Sequence, residues 1–206
     1  MPTPKLLASE TYDRLLKEKV PRAEIVRRLA TLGVNRISIA KLTKLPLGYI
    51  DCNYPNARGK ITQESVKAGT RKLITELDTA FSAFVRARDF KDGCISCSRV
   101  LSDRSNHSNQ AQCGHFIKRE YWPLRWDEGN CNAQCARCNG VHGLQGNYVG
   151  YYKGMVAKYG LEATDSLYFE GKLWNFGTME ENQKRNVRPG IEEMTDLILK
   201  YRDLTR

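Results

Sequence analysis

Apolar positions recur at helical spacing over most of this chain. Tyr12, Leu15 and Leu16 share one face, and Ile25, Leu29 and Leu32 share another. Pro21 suits a first helical turn and Gly33 a helix end. The segment from Ile37 to Ile50 then joins short helices to tight turns, with Lys41 and Lys44 among its basic residues. That arrangement resembles a helix-turn-helix, whose second helix would enter a major groove with Lys41 and Lys44 on DNA. A small bundle that only packs or dimerises would carry the same pattern. Around Asn53–Lys60 the periodicity stops and turn residues take over, so 53–70 is expected to be a linker. A helical pattern also runs from about Gln63 to Asp89, with Leu73, Leu77, Ala80, Phe81, Phe84 and Val85 on one face. Residues 92–143 are polar, glycine-rich and cysteine-rich, while 148–160 and 190–204 predict amphipathic helices.

Composition narrows this picture. A length of 206 residues suits one domain with a satellite, or two small domains. No run of about 18 apolar residues exists to span a membrane. The start, Met1-Pro2-Thr3-Pro4-Lys5, lacks the apolar core of a signal peptide. A cytoplasmic setting is therefore expected, where thiols stay reduced and paired cysteines more often hold metal than form disulfides. The net charge is +10, and residues 1–60 carry 12 Lys and Arg against 5 Asp and Glu. A polyanion is the natural partner, and a phosphate backbone the commonest one. A merely solvated basic surface would give the same count.

The cysteines carry the strongest local signal. Cys94-Ile95-Ser96-Cys97 and Cys135-Ala136-Arg137-Cys138 are two Cys-x2-Cys knuckles, each able to place two thiolates on one side of a tetrahedron. Together they predict one closed structural zinc site with no position for water. A redox Cys-x-x-Cys would need only one pair, in a thioredoxin-like setting. Cys52, Cys113 and Cys131 lack such pairing and are expected to be small buried or incidental residues.

Between and after the knuckles lie Cys113-Gly114-His115-Phe116, Leu124-Arg125-Trp126, Asn130, and Cys135-x2-Cys138-Asn139, followed by Gly146-Asn147. Downstream come Tyr159-Gly160-x-Glu162-Ala163-x-Asp165 and Trp174. In this order the elements resemble the zinc-bound HNH nucleases, and more narrowly the phage NinG/Rap recombination endonucleases, over roughly residues 70–206. The resemblance implies an α+β protein. Residues 1–52 would form the helix-turn-helix-like segment, 53–70 the linker, and 71–206 a zinc-stapled ββα-metal (His-Me finger) nuclease domain with C-terminal helices.

The residue types suit phosphodiester hydrolysis, which needs an activated water and a cation on the scissile phosphate. His115 is the candidate general base, since imidazole accepts a proton near neutral pH. Asn130 is the candidate orienter, bridging the hairpin and holding the imidazole in one tautomer. The resemblance implies that Asn139 offers a carbonyl oxygen to Mg²⁺ or Mn²⁺. His142, three residues on, would reach the same face of a helix as a second ligand or phosphate contact. Lys118, Arg119 and Arg125 are candidate phosphate contacts. Tyr148, Tyr151, Tyr152, Trp174 and Phe176 are expected to pack helices against the zinc module rather than stack on bases. The chain departs from the family pattern in one respect: Gln110-Ala111-Gln112-Cys113-Gly114 carries no acid before His115. Hard cations favour carboxylate, so Gln112 would have to stand in, or Asp127, Glu128 or Glu120 would have to arrive from elsewhere.

The expectation is thus a structure-selective DNA endonuclease acting on Holliday junctions or D-loops in phage recombination. Symmetric cutting of junctions would suit a homodimer. A sequence-specific HNH endonuclease, a non-catalytic zinc DNA-binding module and a zinc scaffold for a partner protein are the alternatives.

Overall fold

The computed structural model describes residues 4–56, 60–105, 107–140, 143–176 and 185–206. Among the described residues it is a mixed α and β chain, mostly helical, with one two-stranded sheet. Its residues group into two compact units, Met1–Thr79 with Gly190–Lys200, and Ala80–Pro189 with Tyr201–Arg206.

The first unit is helical. Helices α1 (Pro4–Lys17), α2 (Arg22–Thr31), α3 (Arg36–Thr43) and α4 (Leu47–Asn53) are joined by turns. Pro21 is the N-cap of α2, and Gly33 takes the left-handed φ of +77° just past its end. Asn35 caps α3 by accepting from Ser38 N at 3.0 Å. Ile25, Val26, Leu29, Ile39, Tyr49 and Ile50 are buried here. The long helix α5 (Gln63–Asp89) starts inside the expected linker, because its apolar face begins well before Leu73. Gly48 and Gly69 let α4 and α5 meet backbone to backbone. A Cβ on Gly69 would lie 2.7 Å from both Cys52 N and Gly48 O.

The second unit is built on a hairpin. Strand β1 (Ala111–His115) pairs antiparallel with β2 (Cys131–Cys135), in a register that sets Ala111 opposite Cys135 and His115 opposite Cys131. The connection holds a single-turn helix α6 (Trp122–Arg125), and the short helix α7 (Ala136–Asn139) follows β2 directly. Helices α8 (Tyr148–Tyr159) and α9 (Leu161–Phe176) come next; the last helix, α10 (Ile191–Leu204), belongs to the first unit up to Lys200 and to the second from Tyr201. α8 and α10 fall where periodicity predicts them.

A two-stranded ribbon is marginal alone and needs packing to persist. Its β2 side is wholly buried, and Tyr151 of α8 inserts beneath it. The Tyr151 hydroxyl accepts from Asn132 N at 2.9 Å and donates to Gly114 O at 3.0 Å, which ties both strands to α8. Asp89, at the end of α5, is 2% exposed and accepts from Ala133 N at 3.0 Å. Arg88 and Lys158 both donate to Asp89, each at 2.8 Å, and Arg88 also donates to Cys131 O at 2.7 Å. Burial pushes the Asp89 carboxyl up, but these hydrogen bonds outweigh it and hold its pKa below the ordinary value.

Candidate metal centre

The two cysteine knuckles converge. Sγ atoms of Cys94, Cys97, Cys135 and Cys138 all lie within 4.8 Å of one another. The Cys97 to Cys135 separation is 3.8 Å. A tetrahedral zinc with Zn–S of about 2.3 Å requires S···S edges of about 3.8 Å, so the donor set fits that ion. Amide donors face the sulfurs as thiolate ligands need: Cys135 N points to Cys94 Sγ at 3.3 Å, and Asn147 Nδ2 to Cys138 Sγ at 3.4 Å. Burial pushes the Cys94 thiol up to about 11 and the Cys138 thiol up to about 12. A cation entering here therefore displaces protons.

Local sequence builds this cage. Left-handed backbone flanks the first two thiols, with Gly93 at a φ of 84° before Cys94 and Ser98 at 56° after Cys97. Cys135 ends β2 and caps α7, so the second knuckle is a strand-to-helix turn.

His115 ends β1 and is half-buried. Its Nε2 lies 3.0 Å from Arg125 O. A carbonyl can only accept, so Nε2 carries the proton and the lone pair of the neutral ring resides on Nδ1. Asn130 is fully buried and acts on the connecting loop: Ile117 N donates to its Oδ1 at 2.7 Å, while Nδ2 donates to Ile117 O at 3.0 Å and Leu124 O at 2.8 Å. The Arg125 carbonyl thus fixes the imidazole, and Asn130 holds the loop that carries Arg125.

Asn139 ends α7 and donates through Nδ2 to Gln112 Oε1 at 3.0 Å. Strand alternation places Gln112 and His115 on opposite faces of β1. A cleft of about 740 Å³ runs along this strand, and Gln112, Cys113, Asn139, Arg86 and Asp103 contribute to its wall. Of the acids that could replace the missing carboxylate, Asp127 accepts from Asn130 N at 2.7 Å and Glu128 accepts from Tyr201 Oη at 3.3 Å. Asp103 is the acid in the cleft with Gln112 and Asn139. It lies in a polar loop, with no spacing in the sequence to mark it.

Gly114 explains the departure just before His115. A Cβ there would overlap Gln134 Oε1 and sit 3.1 Å from Tyr151 Cε2, so position 114 itself has no room for an acid.

The remaining candidates are dispersed. Lys118 and Arg119 are exposed in the connecting loop. Arg125 is half-buried, with its guanidinium over the rings of Trp122 at 4.9 Å and Trp126 at 5.3 Å. Lys41 on α3 and Lys44 at its C-cap are exposed in the first unit. His142 and the side chains of Trp174 and Phe176 lie outside the described residues. Tyr151 is core, Tyr152 donates to Asp165 at 2.6 Å, and half-exposed Tyr148 stacks on Phe116 at 5.1 Å. The unanticipated feature is a second cluster. Cys113, His115 and Cys131 bring their ligating atoms within 4.8 Å of one another. Only the cross-strand register reveals it.

A hairpin and short helix clamped by four convergent thiols, among packed helices, define a helix-rich α and β protein with a cysteine cage able to hold a metal. Comparison places it more narrowly. The family profile described as Bacteriophage Lambda NinG protein matches residues 54–206, and the chain belongs to that family. It is 32% identical to protein ninG of Salmonella phage P22 over 108 residues, 52% of this chain and 49% of that protein. It is also 32% identical to protein ninG of Escherichia phage 933W over 129 residues, 62% of this chain and 54% of that protein. The lambda protein is 34% identical over 95 residues, 46% and 43% of the two chains. The chain thus spans about half the length of the curated relatives it matches. No solved structure matches it.

Proposed function

We propose that the chain is a metal-dependent DNA endonuclease of the HNH type, with Cys94, Cys97, Cys135 and Cys138 holding a structural zinc. The observation that carries this reading is the His115 Nε2 contact to the Arg125 carbonyl. It gives the imidazole the tautomer a general base needs, at the end of the first strand of a ββα unit. His115 takes the proton of a water through Nδ1. Asn130 is a positioning residue that fixes the loop bearing Arg125.

Asp103, Gln112 and Asn139 bring hard side-chain oxygens suited to Mg²⁺ or Mn²⁺ to one cleft, with Gln112 on the face of β1 opposite His115 and its Oε1 accepting from Asn139 Nδ2. Such an ion, when bound, would polarise the phosphate and offset charge on the leaving oxygen. Arg86 in the same wall, and Lys118 and Arg119 in the loop, supply positive charge toward a phosphate backbone. The family resemblance favours branched recombination intermediates as substrate. Lys41 and Lys44 of the first unit would add duplex contacts, and a homodimer would cut both strands of a junction.

The test compares labelled four-way junctions with matched linear duplexes, in Mg²⁺, Mn²⁺ or EDTA. Metal-dependent cutting of junctions is expected, with His115→Ala slowed about 100-fold or more. A His115→Ala protein that cuts at the native rate would refute the base assignment. DNA binding without cutting in any metal would instead favour a zinc DNA-binding module, which the absence of an acid beside His115 also suits.

A further inference from the structure

Cys113 and His115 stand two residues apart on one face of β1, and the register puts Cys131 directly across from His115. Sγ of both cysteines and a ring nitrogen of His115 fall within 4.8 Å of one another. These residues belong to no knuckle and share no atom with the four-thiol cage. Two sulfurs and an imidazole select zinc and other thiophilic cations, not Mg²⁺. Three protein ligands of this composition leave a fourth position open to water or an added group.

The surroundings are those of a ligand set. The His115 ring donates to a backbone carbonyl through Nε2, the usual support for a metal-bound histidine. Cys131 is fully buried; Asn130 Nδ2 donates toward its sulfur at 4.0 Å, as for a ligand thiolate, and the Cys131 thiol donates to Arg125 O at 3.7 Å, a bond that metal binding would give up. Closing the cluster around zinc needs donor separations of about 3.6 to 3.8 Å, a contraction of about 1 Å at most. Cys113 also lines the cleft, which gives a cation a way in.

We propose that Cys113, His115 and Cys131 form a second, thiophilic metal site whose occupancy switches off His115 as a base. The site stands on the geometry alone, and the switching rests on the nuclease reading. A neutral imidazole has one ring lone pair. A metal bound there consumes it and fixes the proton on the other nitrogen, so the loaded ring cannot accept a proton from water.

Cobalt(II) reads both sites, because thiolate–cobalt charge transfer reports each one. Apoprotein titrated with Co²⁺ is expected to take up two ions per chain, one for each cluster. The Cys113→Ala/Cys131→Ala protein should take up one, with the four-thiolate spectrum retained as proof that its hairpin is folded. His115→Ala should weaken the second uptake about tenfold or more. Wild-type protein that saturates at one cobalt overturns the site, and so does a double variant that still takes two. Loss of two hydrogens in place of metal uptake also overturns it, as a Cys113–Cys131 disulfide.

The switch is read from junction cutting in Mg²⁺, as the ratio of rates with and without Zn²⁺ beyond the first equivalent. Wild-type protein should lose about tenfold or more, while the ratio for Cys113→Ala stays near one. Equal wild-type rates overturn the switch and leave the site. If nothing cuts even with the second site empty, the nuclease reading and the switch fall together, and the cobalt count alone decides the site.

Discussion

Gly114 is fixed by what lies over it. Tyr151 is fully buried against that face, and its hydroxyl bonds Gly114 O and Asn132 N. Replacing Gly114 by Ala forces a Cβ onto Gln134 Oε1 and the Tyr151 ring in a packed interior. Overpacking of this kind costs about 1 to 3 kcal/mol. Urea unfolding should show a lower midpoint with little change in slope. An unchanged midpoint would mean that α8 yields freely, and the explanation for the absent acid would fail with it. The Gly-His pair was legible in the sequence as chemistry, on His115. Its glycine was not, because the cause is a tyrosine 37 residues away.

At the scale of elements, the end of α5 is tied to β2 and α8 through one carboxylate. Asp89 gathers Arg88, Lys158 and the Ala133 amide. Its pKa is lower folded than unfolded, so it contributes stability above its unfolded pKa of about 3.9. That contribution is lost as pH falls through the folded value. Asp89→Asn should cost about 3 kcal/mol near neutral pH, since it leaves two cations without their partner. The gap between the two proteins should then narrow below about pH 4, as the wild-type carboxylate protonates. A gap independent of pH would show that shape rather than charge is at stake. Helices α8 and α10 could be placed from periodicity, because each buries one stripe. Periodicity does not mark α9: its apolar residues, among them Leu161, Leu167, Phe169 and Leu173, are spread around the helix, and several are exposed. The hairpin was legible only through its cysteines. Ala-Gln-Cys-Gly-His has little β-branched or aromatic character, so nothing local marks it as a strand. The pairing of Cys113 with Cys131 depends on register, and spacing along the chain does not encode register.

For the molecule as a whole, a metal in the four-thiol cage would decide whether the hairpin unit holds. Apart from the separate cluster of Phe116, Ile117, Tyr121, Leu124, Tyr151 and Met155, the buried residues around it are Cys94, Leu101, Ala111, Ala133, Cys135 and Cys138, and half of these are the thiols themselves. So small a core beside a two-stranded sheet is weak support. Metal at the cage would couple binding to folding, as in small zinc modules. Stripping it with a strong chelator at neutral pH should cost at least about 5 kcal/mol and lower the thermal midpoint by roughly 10 to 20 °C. Trp122 and Trp126 lie within the connecting loop, at the two ends of α6, so tryptophan fluorescence reports on this unit. The same loss should follow acidification without chelator. The raised Cys94 and Cys138 thiols take up protons readily, and every proton bound there opposes the cation. Zinc release and the fluorescence change should therefore share one midpoint in pH. Release of zinc with the fluorescence transition left in place would show that the hairpin stands on its packing alone, and that the four thiols are not its staple.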